Sequence, residues 1–149
     1  MYLTKDSIFQ ELLSSDMKLR ILGADEVRDM IEFDSIKENE ILEYIDHLLK
    51  ALLFDNSPKA DESIIFAMCF LIDSYNVISV DLAPFMSIID GTYRKKRFHD
   101  DIIIEIIWMF ARRHNIKFMP LIQLCKSLKN QKLALEAVKA EIYILEHQT

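Results

Sequence analysis

His99 and Asp100 are the residues in this chain best placed to do chemistry. They are adjacent in "FHDDIIIEIIWMFARRHN" (98–115), with His47 far upstream. Histidine nitrogens and carboxylate oxygens are ligands for a divalent metal. No aspartate follows Asp101 to add to them. The plainer account is that Asp100 and Asp101 open a helix, whose dipole favours negative charge there, and that His99 lies in the entry loop. No metal and no cofactor are therefore expected. Glu105 sits inside the apolar run, which is costly unless it is paired or faces a groove. The run "GTYRKKRFH" (91–99) is basic and interleaved with Tyr93 and Phe98. Such a mixture can touch nucleic acid, but a solvated loop or a contact for an acidic partner suits it better. There is no glycine-rich phosphate loop, paired-cysteine spacing or nucleophile elbow, so no catalytic residue is assigned.

The elements that must carry these residues are helical. Two glycines and three prolines in 149 residues are too few for an all-β fold, and 51% apolar composition is enough for a core. The length fits a single domain over residues 1–149. The apolar run Ile102–Ala111 is ten residues long, with Glu105 inside it. A membrane-spanning helix needs about 20, so no membrane span is expected. The opening "MYLTKDSIFQELL" lacks the basic-then-apolar plan of a secretion signal. Cys69 and Cys125 sit in apolar surroundings and read as buried free thiols, so a cytoplasmic location is expected.

The opening stretch has an echo. Shifted back by 39 positions, the chain reads "ADESIIFAMCFLIDSYN" (60–76), and the two align without a gap. Asp61-Glu62 fall over Asp100-Asp101, and Ile64-Ile65 over Ile103-Ile104. After each comes a segment with a proline in the fourth place, "DLAPFMSIID" and "KFMPLIQLCK". Pro84 and Pro120 suit the first turn of a helix. Periodicity and breakers predict eight helices, over 5–14, 17–33, 38–53, 60–75, 80–89, 99–114, 118–128 and 131–147. Trp108, Met68, Phe70, Met109 and Phe110 are expected in the core. A repeat of paired helices points to an α-solenoid of about four hairpins.

The chain resembles the HEAT-like, armadillo-type repeats. The likeness is carried by the Asp16–Arg20 spacing at the start of a second helix, the small residue Ala24 after it, and comparable positions at Ala67 and Ala137. The resemblance implies an all-α, right-handed superhelix. The His-Asp pair is similar to that of the HD phosphohydrolases, but the missing aspartate argues against their metal site. HEAT-like DNA glycosylases need a basic groove, and the second helices here are acidic or apolar.

Charge narrows the function further. The net charge of −6 disfavours a general nucleic-acid binder. Residues 1–74 carry 16 acids and 7 bases, a balance of −9; residues 75–149 carry 8 acids and 11 bases, a balance of +3. In the acid-rich segment 25–47, Asp25, Asp29 and Glu32 share one helical face. With Asp61, Glu62, Asp100, Asp101 and Glu105 they are the expected partner-binding residues. A short, acidic, non-enzymatic solenoid resembles the HEAT-like immunity proteins that neutralise bacterial toxins. That resemblance implies a basic toxin domain as partner, with a nuclease suited to the charge. An adaptor joining two cellular proteins is the alternative. Oligomeric state is left open.

Overall fold

The computed structural model describes residues 4–148, apart from the Lys95 side chain. Every regular element among them is helical. The chain divides into two compact units, Met1–Tyr75 and Asn76–Thr149. The first holds α1 (Lys5–Leu12), α2 (Met17–Glu32), α3 (Ile41–Ala51) and α4 (Pro58–Tyr75). The second holds α5 (Ala83–Asp90), α6 (Asp100–Ala111), α7 (Met119–Lys126) and α8 (Gln131–Glu146).

Both units follow one plan. In the first, α1 packs on α2, α2 on α4, α3 on α4 and α1 on α3. In the second, α5 packs on α6, α6 on α8, α7 on α8 and α5 on α7. Each is thus two helical hairpins whose longer second helices lie side by side. A single-turn 3-10 helix precedes the third helix of each unit, at Glu38–Glu40 and Ile116–Phe118. The turn before it also recurs: Asp34 (φ 51°) and His114 (φ 54°) both adopt the left-handed conformation. In each unit a tyrosine hydroxyl of the fourth helix meets that turn residue. Tyr75 donates to Asp34 at 3.4 Å, and Tyr143 lies 3.0 Å from His114 Nε2.

Local chemistry sets the helix ends. Thr4 and Ser7 cap α1 reciprocally, Asp16 caps α2 through the Lys18 amide, and Asn130 caps α8 through the Leu133 amide. Pro84 and Pro120 lie in the first turns of α5 and α7, as their spacing predicts. Gly91 closes α5 in the left-handed conformation (φ 81°), where a Cβ would be strained. Some ends differ from the sequence expectation. α6 stops at Ala111 because the chain turns left-handed at His114, and α5 starts at Ala83, where the Asp81 side chain takes the Ala83 amide. α4 starts earlier than expected, at Pro58.

The cores are apolar and closely packed. Leu12, Val27, Leu48, Ile64 and Met68 are fully buried in the first unit, and Phe85, Ile106, Phe110 and Phe118 nearly so or fully in the second. Ala24, Ala67 and Ala137 are fully buried, which lets neighbouring helices approach closely. Cys69 and Cys125 are both buried, and burial pushes the Cys125 thiol up to about 12. Among the described residues no helix is long and apolar enough to cross a membrane.

Candidate partner-binding face

Eight acids of the first unit fall into three groups. The first is internal. Asp61 is only 5% exposed and accepts from Asn56 Nδ2 at 3.0 Å. Asn56 also donates to the Ala51 carbonyl (3.0 Å) and accepts from Arg20 Nε (2.9 Å). Arg20, 3% exposed, donates to the Ser14 carbonyl and stacks its guanidinium 4.4 Å over the Phe54 ring. Burial lowers the Arg20 pKa, while the Asp16 and Asp61 charges oppose that shift. Asp61 is therefore not on an open face, in contrast to its expected place among the partner-binding residues. Its carboxylate serves a buried polar network.

The second group is paired on the surface. Glu40 and Glu43 hold Lys5 at 3.0 and 3.2 Å, and Asp46 holds Lys50 at 2.9 Å. These account for acids of α3 and its entry.

The third group is open. Asp25, Asp29 and Glu32 are exposed on one face of α2 and line a shallow depression with Arg28. Among the described residues no basic side chain forms an ion pair with any of the three, nor with exposed Glu62 on α4. Arg28 reaches to 5.9 Å from the Phe70 ring centre, which joins the α2 face to α4. Along α4, Glu62, Phe66 and Phe70 recur every four residues and are all exposed, the two phenylalanines at 36%. Phe70 was expected in the core; it lies on the outer stripe with Glu62 and Phe66, while Met68, Met109 and Phe110 are buried. The 62-66-70 spacing carried that signal, but an acid followed by two phenylalanines is hard to tell from a wide buried helix.

The acids of the second unit are engaged differently. Asp100 is half-buried and accepts from Asn130 Nδ2 at 3.0 Å. Thus the first acid of each echoed pair, Asp61 and Asp100, takes an asparagine amide, and the second, Glu62 and Asp101, is exposed. Asp101 meets Lys132 of α8 at 3.5 Å. Glu105 is half-buried on α6, one turn beyond Asp101. Trp108, expected in the core, is half-buried; its indole donates to Glu136 at 2.9 Å. That bond, followed by Lys139, holds the Glu136 carboxyl below its usual range. Bases of α8 therefore answer acids in this unit, whereas the α2–α4 face of the first has three carboxylates around one guanidinium.

His47 stacks on Phe9 at 3.7 Å with Nδ1 2.8 Å from the Glu43 carbonyl oxygen, and His99 is exposed at the start of α6. Among the described residues no three His, Cys, Asp or Glu side chains are grouped to hold a metal ion. Comparison with family models, curated proteins and solved structures gives no match to this chain.

Proposed function

We propose that the protein is a non-enzymatic, HEAT-like binding module of the cytoplasm that neutralises a cognate bacterial toxin by covering its basic surface, a nuclease being the partner best suited to the charge. The observation that carries this reading is the α2–α4 face. Among the described residues Asp25, Asp29, Glu32 and Glu62 are exposed and form no ion pair, and Glu62 shares an exposed stripe of α4 with the rings of Phe66 and Phe70. Unpaired acids draw a cationic partner in quickly and reject anionic ones. Exposed aromatic rings among them supply the apolar contact that slows release.

The test is neutralisation. A partner captured from the native host by the tagged protein and then expressed alone arrests growth, and co-expression of this protein restores it. The triple variant Asp25→Lys, Asp29→Lys, Glu32→Lys, still helical by circular dichroism, fails to restore it. A partner that is harmless alone, or rescue by the triple variant equal to the wild type, overturns the proposal. The adaptor reading draws on the second unit, whose +3 balance differs from the first unit's −9. It requires two partners bound at once, which a ternary complex in sedimentation would reveal.

A further inference from the structure

α8 carries two apolar faces. One, made of Leu133, Ala137, Ala140 and Ile144, is buried against its own unit. The other, made of Leu135, Val138, Ile142 and Leu145, is exposed at 56, 38, 49 and 55%. The spacing of this second set is three, four, three. That is the a/d pattern by which helices pair along a narrow seam, and it lies opposite the buried stripe. Exposed apolar side chains in one contiguous line, unlike scattered ones, mark a contact surface.

The charges beside the seam select the occupant. Lys132, Lys139 and Glu146 flank one side, and Glu141 the other. When α8 lies antiparallel on α8 of a second copy, Leu135 meets Leu145 and Val138 meets Ile142, each twice. Lys132 of each copy, which also meets Asp101 of its own copy at 3.5 Å with both side chains largely exposed, then faces Glu146 of the other. The two Lys139 side chains meet at the centre of that flank and the two Glu141 at the centre of the other, each held within its own copy, Lys139 by Glu136 at 3.4 Å and Glu141 by Lys126 at 3.0 Å. A parallel pairing instead gives Lys132 and Lys139 no acid of the second copy and sets Glu141 beside Glu146. The seam is thus self-complementary in one orientation, as a two-fold interface requires. We propose that the exposed face of α8 is a homodimer interface, with two copies of the chain paired antiparallel along Leu135, Val138, Ile142 and Leu145. This inference is independent of the toxin-binding reading, whose face lies on α2 and α4.

The test is sedimentation equilibrium of the full chain over a concentration series. The expected species is a dimer of twice 17.5 kDa. Ile142→Glu is expected to give a monomer of unchanged helicity, because the position is half exposed and lies outside the buried stripe of α8. Lys132→Glu is expected to raise the dissociation constant about tenfold by replacing two attractions with repulsions. Adding Glu146→Lys to it restores the dimer, which a merely destabilising change would not do. A wild-type chain that stays monomeric throughout, or binds a different protein through this stripe without self-association, overturns the proposal. So does a dimer indifferent to Ile142→Glu or unrescued by the charge swap.

Discussion

Asn56 joins parts of the first unit that are distant in sequence. Its side chain bonds Arg20 Nε, the Ala51 carbonyl and Asp61 at once. Asn56→Ala removes all three bonds and leaves buried polar atoms without them. The expected cost is about 2–3 kcal/mol in denaturant unfolding; an unchanged midpoint would show that water replaces the amide. A second residue-scale device is the carboxyl pair Glu11 and Glu26. Each has one Oε2 atom buried without a hydrogen-bond partner. Burial first, then the neighbouring Glu11 carboxyl, raises the Glu26 pKa to about 6, and Asp29 adds to the shift. A carboxyl with a folded pKa above its unfolded value of 4.5 binds its proton more tightly when folded. Its stabilisation is fully present below the unfolded value and is lost as pH rises through about 6. Glu26→Gln should therefore stabilise the protein at pH 7.5 by about 1 kcal/mol, allowing for solvent screening, and should not do so at pH 4. Equal effects at both pH values would contradict the raised pKa of Glu26. Neither device was legible in the sequence. The Asp16–Arg20 spacing was visible, but Arg20 meets Asn56, 36 residues away, and only the fold brings them together.

At the scale of elements, the sequence was far more informative. The eight α-helices of the described residues follow from apolar periodicity and from breakers such as Asp55-Asn56-Ser57-Pro58, because burial of one face and capping are local decisions. The errors lie at ends, where left-handed residues such as His114 stop a helix without a glycine to announce it. They also lie in wide apolar helices, where Phe70 and Trp108 looked like core. One close approach shows how tightly the hairpins fit. A Cβ on Gly23 would meet the Leu12 Cγ and backbone nitrogen at 3.1 Å and Glu11 Cβ at 3.2 Å. Alanine at 23 gains helix propensity of about 1 kcal/mol but must push α1 away from α2. Because a backbone atom cannot step aside, Gly23→Ala is expected to lower stability by about 1 kcal/mol. A higher melting temperature for that variant would show that α1 yields freely.

For the whole molecule, the charge asymmetry read from the sequence coincides with the structural division. Tyr75 ends the first unit and is uncharged, so the balance of −9 belongs to Met1–Tyr75 and that of +3 to Asn76–Thr149. The units share a helical plan and differ in how their acids are answered. That difference makes the α2–α4 face the centre of the account. The most direct measurement is capture of partners from the native host by the tagged wild-type chain and by the Asp25→Lys, Asp29→Lys, Glu32→Lys variant, at low and then high salt. The account predicts one stoichiometric basic protein on the wild type, released by salt and absent from the variant. A partner held equally by both proteins, or no basic partner on the wild type, would contradict it.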